Sequence, residues 1–87
     1  MAVYRISYAS SAAKAFRGIH PRDRQPIRDA IERLAEDPRP VGSIKLVGGA
    51  GERRVRVGNY RVVYDVDDGV LVVLILRIGN RRDVYRM

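Results

Sequence analysis

Residues 70–78 constrain the fold more than any other stretch, because they are apolar at positions that face both sides of an extended strand. This pattern is typical of a central strand covered on both sides, or covered on one side and contacted by a partner on the other. Its uninterrupted apolar part, residues 70–76, is far shorter than the roughly 20 residues that a membrane-spanning helix needs. The N-terminal segment meets polar residues at Arg5, Ser7 and Ser10, so it lacks the apolar region of a signal peptide. We therefore expect a cytoplasmic protein with no membrane partner.

An alternation of apolar and polar residues predicts further strands. The predicted strands are residues 3–8, 52–57, 60–66 and 70–78, with a short extended run at 43–47 and a tail at 79–87 that could add an edge segment. Gly58-Asn59 predicts a tight turn between two of these strands, and Asp67-Asp68-Gly69 predicts a second hairpin turn. The C-terminal half of the chain is therefore predicted to form antiparallel hairpins.

Between the first strand and these hairpins, a spacing of three and four residues predicts two helices. Ser10 or Ser11 is expected to cap the first helix, which ends at residues 18–21. Its predicted core stripe consists of Ala12, Ala13, Phe16 and Ile19. The second helix is expected to bury Ile27, Ala30, Ile31 and Leu34.

The second helix is predicted to continue to about Glu36, where Asp37-Pro38-Arg39-Pro40 ends it. Pro26 leaves two alternatives for its start, because proline removes a backbone donor inside a helix. Either the helix begins near Pro26, or residues 21–25 form a looser opening turn.

This order of elements predicts an α+β fold in a single domain that covers residues 1–87. An N-terminal strand is followed by a helical hairpin and then by an antiparallel sheet of three to four strands. A helical hairpin packed on one face of the sheet would bury the apolar stripes of both helices.

The charge of the chain points to an anionic partner. Its formal net charge is +7, and of its 17 basic residues only Lys14 and Lys45 are lysines. Nucleic acid is the first candidate for such a partner, followed by an acidic protein or a membrane surface. The chain contains no cysteine, which excludes disulfides and thiolate metal sites.

Three other features are explained better by structure than by chemistry. Residues 48–51 are rich in glycine, but a strand follows them where a P-loop needs Gly-Lys-Ser/Thr and a helix, so we expect a flexible loop. His20 has no second histidine or cysteine with which to hold a metal. Asp65, Asp67 and Asp68 lie at a predicted hairpin turn, where aspartate is common.

The arginines of the C-terminal half are the strongest functional signal. Arg54 and Arg56 share one face of a predicted strand, and Arg61 begins its hairpin partner. Further arginines follow the central strand at Arg81, Arg82 and Arg86. Like charges on neighbouring strands are unfavourable unless an anion is bound, although each arginine taken alone fits a solvated surface. Tyr60, Tyr64 and Tyr85 lie in the same region of the sequence, and their rings are candidates for stacking on unpaired RNA bases. Core packing is the alternative for Tyr60 and Tyr64, whereas Tyr85, near the polar terminus, is expected to be exposed.

These motifs and the order in which they follow one another closely resemble the RelE/ParE toxin superfamily of prokaryotic type II toxin–antitoxin systems. The resemblance rests on ERRVRVGNYRVVYDV, the following DDG turn, the apolar strand and GNRRDVYR, in that order. It covers nearly the whole chain, including the leading strand, the helical hairpin and the DPRP stop.

The resemblance to the RelE branch implies an endoribonuclease (an mRNA interferase) that cuts mRNA in the ribosomal A site and inhibits translation. The reaction is a metal-free attack of a ribose 2′-hydroxyl on the adjacent phosphate, with no cofactor. By motif position, the implied catalytic residues are Arg61, Arg81 and Tyr85. Arg54, Arg56 and Arg82 are implied to bind the RNA phosphates.

Departures from the family pattern bear on proton transfer. Some members carry lysine at the positions of Arg54 and Arg56, and many carry histidine where this chain has Asn80. Arginine stays charged and asparagine does not titrate, so Tyr85 alone among these residues is able to transfer a proton.

Two alternatives share the same fold. The ParE branch inhibits DNA gyrase without catalysis, and a non-catalytic RNA-binding member would keep only the basic face. The resemblance further implies a cognate acidic antitoxin, a ribosome carrying mRNA as target, and operator DNA contacted indirectly through the antitoxin.

Overall fold

A computed structural model describes residues 3–80. Its elements are β1 (Arg5–Tyr8), α1 (Ser10–Arg17), α2 (Pro21–Arg33), β2 (Ile44–Lys45), β3 (Arg53–Val57), β4 (Tyr60–Asp67) and β5 (Val72–Asn80). The five strands form one sheet in the order β1-β5-β4-β3-β2. Strand β1 pairs with β5 in parallel, and all other pairs are antiparallel.

The predicted α+β class is confirmed, with a sheet of five strands rather than three to four. The difference arises at the two edges of the sheet. The N-terminal strand β1 joins the same sheet beside β5, and the two-residue strand β2 extends it beyond β3.

Both helices contact one face of the sheet, and the hydrophobic core lies between them and the strands. The helices contribute Ala12, Ile27, Ile31 and Leu34, and the strands contribute Val62, Tyr64, Val73, Ile75 and Ile78. All of these side chains are at most 3% exposed. The other face of the sheet is covered by neither helix, so the predicted cover on both sides of β5 is not provided by the helices, and contact by a partner on that face stays a prediction.

The start of α1 differs from the prediction. Its N-cap is Ala9, which makes no side-chain capping bond, and Ser10 is already the first helical residue. The hydroxyl of Ser11 instead donates to the carbonyl oxygen of Leu76 at 3.4 Å. The expected serine cap is therefore wrong, and α1 depends on its packing against β5.

Helix α2 begins at Pro21 and residues 21–25 are already α-helical, so both alternatives, a start near Pro26 and a looser opening turn, are wrong. His20 is the N-cap, and its Nδ1 accepts a hydrogen bond from the backbone N–H of Arg22 at 3.1 Å. This bond satisfies one of the N–H groups that a helix start leaves without an internal partner. Pro26 is tolerated inside the helix on its exposed side. The helix ends at Arg33, slightly before the predicted Glu36.

Strand β5 begins at Val72, two residues later than predicted. Val70 and Leu71 belong to the preceding loop and are 67% and 39% exposed. In that loop the Asp67 carboxylate accepts hydrogen bonds from the N–H groups of Gly69 and Val70 at 2.9 and 3.3 Å. This bonding confirms the predicted turn chemistry for Asp67. Asp65, also predicted at the turn, lies within β4 instead.

The two tyrosines of β4 pack on the side of the helices. Tyr64 is fully buried, and its hydroxyl donates to the carbonyl oxygen of Pro38 at 2.8 Å. The hydroxyl of Tyr60 donates to the Asp23 carboxylate in the first turn of α2 at 3.1 Å. Of the two interpretations of these rings, core packing is the one that the structure supports.

Within residues 3–80, neither helix is long and apolar enough to span a membrane.

Candidate nucleic-acid interface

The face of the sheet that the helices leave uncovered carries the predicted arginines. In the register of β3, β4 and β5, Arg56 lies opposite Arg61, and Arg61 lies opposite Gly79. One pair of residues further along, Arg54 lies opposite Val63, and Val63 lies opposite Arg77. Residues that are directly opposite in an antiparallel pair share a face. We call the face formed by Arg54, Arg56, Arg61 and Arg77 the arginine face.

Arg61 occupies the centre of the arginine face and is its most enclosed side chain. It is 2% exposed, although it carries a full charge, whereas Arg56 beside it is exposed. On its other side, Arg61 lies opposite Gly79 of β5, which has no side chain to occupy the space beside it. Arg61 is therefore held in place by its surroundings, whereas its neighbour Arg56 reaches the surface.

Arg77 is a member of this face that the sequence did not reveal. It lies within the apolar run of β5, where residues on both faces are hydrophobic and the pattern carries no information about direction. The pairing of β4 with β5 shifts its register between Val63 and Tyr64, which leaves Leu76 as an extra residue. Because side chains alternate along a strand, one extra residue moves all that follow to the opposite face. Val73 and Ile75 before the bulge and Ile78 after it consequently all face the core, and Arg77 faces outward.

The guanidinium groups of Arg54 and Arg77 are enclosed without being bonded. The Nε atom of each is inaccessible to solvent and has no hydrogen-bond partner within residues 3–80. Arg53, the neighbour of Arg54 in the chain, contrasts with them because it points to the other face and donates to the hydroxyl of Ser43 at 3.0 and 3.3 Å. A buried donor without a partner is costly, so these two arginines are suited to an anionic ligand.

Three predicted site residues, Arg81, Arg82 and Tyr85, lie outside the described residues. The last described residue, Asn80, ends β5 and lies opposite Tyr60. The strand that carries Arg77 and Gly79 along the arginine face thus leads directly into the sequence Arg81-Arg82.

Tyr60 precedes Arg61 in the chain but faces the opposite side of the sheet. Desolvation, followed by its hydrogen bond to Asp23, raises the pKa of Tyr60 above its ordinary value. Tyr60 therefore stays protonated at neutral pH and links the β3–β4 hairpin to α2.

A second polar network lies at the β4–β5 turn, away from the arginine face. Arg39 donates to both oxygens of Asp68 at 2.8 and 3.2 Å, and the hydroxyl of Tyr4 donates to Asp68 at 2.6 Å. The Arg39 and Tyr4 bonds hold the pKa of Asp68 below its ordinary value. The network joins β1, the segment after α2 and the turn, which is a structural function.

The remaining motifs have structural roles in the described part of the chain. Residues 48–51 form the connection between β2 and β3, where Gly48 and Gly51 adopt positive φ angles of 77° and 110°. His20 caps α2. Residues 3–80 contain no group of three or more His, Cys, Asp or Glu side chains placed to hold a metal ion.

Comparison with known proteins agrees with this fold. The family model of the ParE toxin of type II toxin–antitoxin systems (parDE) matches residues 6–85. Toxin RelG of Mycobacterium tuberculosis is 31% identical over 84 residues, which cover 95% of this chain and 97% of that protein.

Two solved structures are similar as well. One is the archaeal RelE–RelB complex from Pyrococcus horikoshii, with a TM-score of 0.80 and 27% identity over 91% of this chain and 96% of the other. The other is the isolated RelE toxin of Escherichia coli, with a TM-score of 0.74 and 25% identity over 95% of this chain and 97% of the other. The family model and the relative each extend over almost the entire chain and agree with the observed fold, so this chain belongs to the RelE/ParE superfamily of type II toxin–antitoxin toxins.

Proposed function

We propose that this toxin is an endoribonuclease that cuts mRNA in the ribosomal A site. The observation that carries the proposal is the arrangement of Arg54, Arg56 and Arg61 on the sheet face that neither helix covers, with Arg61 enclosed at its centre and Arg56 exposed. Arg56 and Arg61 lie directly opposite each other, and like charges in that arrangement are unfavourable. A bound polyanion would offset this repulsion, and the exposed Arg56 is where such a ligand would first make contact.

The chemistry of RNA cleavage requires charge stabilisation at one phosphate. The ribose 2′-oxygen forms a new bond to phosphorus while the bond to the 5′-oxygen breaks, which yields a cyclic phosphate and a free 5′-hydroxyl. Negative charge increases on the phosphoryl oxygens in the transition state, and fixed guanidinium groups stabilise it without having to reorganise. The enclosed Arg61 meets this requirement, because its side chain is held in place before the substrate binds.

The individual roles follow from chemistry and position. Arg61 and Arg81 clamp the scissile phosphate, since the planar fork of arginine matches its oxygens. Arg54, Arg56 and Arg82 hold the neighbouring RNA backbone. One proton leaves the 2′-hydroxyl and one is delivered to the 5′-oxygen, and Tyr85 is the group assigned to this transfer. For Tyr85 to act as a base at neutral pH, positive charge close to it would have to lower its pKa.

A second candidate function is the inhibition of DNA gyrase without catalysis. The observation in its favour is the match of residues 6–85 to the ParE toxin model. Both functions occur on one scaffold, so the fold does not decide between them. The enclosed charge of Arg61 favours cleavage, because binding a protein partner does not need an arginine fixed beneath the surface.

The partner that restrains the toxin is proposed to be an acidic antitoxin. The similar Pyrococcus horikoshii structure is a RelE–RelB complex. With a net charge of +7, this chain would be bound favourably by an acidic protein segment that neutralises the arginine face. We propose that operator DNA is contacted only through this antitoxin, and that the toxin acts in the cytoplasm, where the ribosomes are.

The deciding experiment adds the purified toxin to a reconstituted translation reaction and maps the 5′ ends of the mRNA. Cuts within A-site codons, absent when ribosomes are omitted, are expected. A parallel supercoiling reaction with DNA gyrase is expected to proceed normally. Intact mRNA together with blocked supercoiling would replace the endonuclease proposal by gyrase inhibition.

A further inference from the structure

We propose that Arg54 and Arg77 form a second phosphate-binding site, which holds the RNA phosphate next to the one bound by Arg61. The inference rests on the proposed function for the identity of the RNA, and on the geometry of the sheet for the site itself. It assigns a role to Arg77, which motif position does not include among the site residues.

The two arginines flank one buried residue. Val63 on β4 lies between Arg54 on β3 and Arg77 on β5, and it is only 1% exposed. The Cα atoms of the two arginines are therefore separated by two strand spacings, about 9.6 Å. The aliphatic stems of arginine pack along apolar surface while the charged ends extend beyond it. The low exposure of Val63 is consistent with stems that cover it from both sides, which would place one guanidinium group on each side of it.

Neither arginine of this pair takes part in an ion pair among residues 3–80. The ion pair found there joins Arg39 to Asp68, at the far end of β4. Neither Arg54 nor Arg77 bonds to a carboxylate of residues 3–80, and the Nε atom of each is enclosed and without a partner there. Two arginine forks on either side of Val63, each with an Nε donor that has no partner there, suit a tetrahedral phosphate diester, whose oxygens accept from several directions.

The position of this pair relative to Arg61 indicates which phosphate it binds. The Arg54–Val63–Arg77 row lies two residues along the sheet from the Arg56–Arg61–Gly79 row, which corresponds to about 6.8 Å. This spacing is comparable with the separation of successive phosphates along a single RNA strand. One row then binds the scissile phosphate and the next row its neighbour, so the sheet fixes the direction and register of the RNA. Contacts of this kind position the backbone and do not read the bases.

The test compares two short RNAs that cannot be cleaved because their 2′-hydroxyls are methylated. A dinucleotide has one phosphodiester and a trinucleotide has two, and both are titrated into the purified toxin at low salt. The unmodified protein is expected to bind the trinucleotide about tenfold more tightly, which is a typical effect of one added charge-assisted contact. In Arg77→Ala this advantage is expected to disappear, and in Arg54→Ala as well.

Arg5→Ala is the matched control. Arg5 lies on β1 opposite Val72, is exposed and belongs to the same face of the sheet. Its substitution removes the same charge about 17 Å further along the strands. The control should keep the preference for the trinucleotide. The slope of the logarithm of trinucleotide affinity against the logarithm of salt concentration should become shallower by about 0.7 in Arg77→Ala, as expected for the loss of one single-strand phosphate contact. The change in this slope should be smaller in Arg5→Ala.

Further variants make the outcome decisive. If Arg77→Ala does not fold, Arg77→Lys keeps the charge but lacks the fork, and it should lose most of the tenfold advantage. A double variant of Arg54 and Arg77 should lose no more than either single variant, because both bind the same phosphate. Equal losses in Arg77→Ala and Arg5→Ala, or an unmodified protein without preference for the trinucleotide, would overturn the proposed site.

The RNA-binding experiment and the mRNA-cleavage experiment test the two proposals separately. A toxin that prefers the trinucleotide through Arg77 but leaves mRNA intact on the ribosome contradicts the endonuclease proposal alone. A toxin that cuts mRNA while Arg77→Ala binds both RNAs like the unmodified protein contradicts the second phosphate site alone.

Discussion

Arg56 and Arg61 lie directly opposite each other on β3 and β4, yet Arg56 is exposed and Arg61 is 2% exposed. Like charges at directly opposite positions of a hairpin repel each other, and an anion bound beside them would offset this repulsion. The arrangement is therefore better suited to binding than to folding. The difference in exposure also divides the roles of the pair, since Arg61 is enclosed by the protein and Arg56 is accessible to a ligand.

Arg61→Ala is expected to abolish most mRNA cleavage. Removal of one preorganised donor to a transition-state oxyanion typically lowers the rate by about 10²- to 10³-fold. The measurement is the rate of A-site cleavage in the reconstituted translation reaction. Because Arg61 is buried, thermal unfolding of the variant has to be recorded beside it, and Arg5→Ala serves as the charge-matched control. Full activity in a folded Arg61→Ala protein would contradict the assigned role.

Lysine substitutions should separate the two arginines of β3. Arg56 is exposed and supplies charge, so Arg56→Lys is expected to lower cleavage by less than about threefold, an effect of the size seen for exposed charges. Arg54 has an enclosed Nε donor that lysine does not possess, so Arg54→Lys is expected to cost about tenfold or more. Cleavage rates of the two variants at equal ribosome concentration test the difference. Equal effects would mean that only the charge of Arg54 matters.

Tyr64→Phe tests the link between the sheet and the segment after α2. The change removes a buried hydroxyl that donates to the carbonyl oxygen of Pro38 and leaves that oxygen without its partner. We expect the free energy of unfolding to fall by about 1–3 kcal/mol, as for other buried groups deprived of one partner. Urea denaturation measures the loss. Tyr8→Phe, at a ring that is 38% exposed, should change the stability much less.

The Arg39–Asp68–Tyr4 network predicts a pH dependence of stability. The pKa of Asp68 is held below its ordinary value of 3.8 in the folded protein, chiefly by Arg39. The unfolded chain therefore binds a proton more readily, so the contribution of Asp68 is complete above pH 3.8 and is lost as the pH falls through the lower folded pKa.

Melting temperatures of the unmodified protein and Asp68→Asn check this dependence. The unmodified protein is expected to be more stable at pH 7, and the difference should shrink in strongly acidic buffer. Glu36→Gln, at an exposed carboxylate outside this network, is the control. A difference between the two proteins that stays constant down to low pH would exclude the ionised Asp68 as its source.

Local pattern was sufficient for the elements and for part of the arginine face. The alternation in residues 52–57 placed Arg54 and Arg56 on one side of a strand, and the turn at Gly58-Asn59 brought Arg61 beside them. These relationships depend on neighbours in the chain, and a hairpin with a short turn fixes their register. The two helices followed in the same way from the spacing of their apolar residues.

The caps and the edges of the sheet required the tertiary structure. Ser10 and Ser11 have the right chemistry for a cap, but the chain enters α1 directly from β1, and Ala9 takes that position. The parallel pairing of β1 with β5 joins segments more than 60 residues apart, so no local sequence pattern predicts it.

The sequence by itself determined that this chain is an α+β protein whose arginines converge on a hairpin, because periodicity and turn residues act locally. Only the tertiary structure decided that Arg77 joins them. The apolar run of β5 gives no indication of which side faces the core, and the bulge at Leu76 sets the face of every residue that follows. A one-residue shift in strand pairing thus turned an arginine toward the arginine face that would otherwise have pointed into the core.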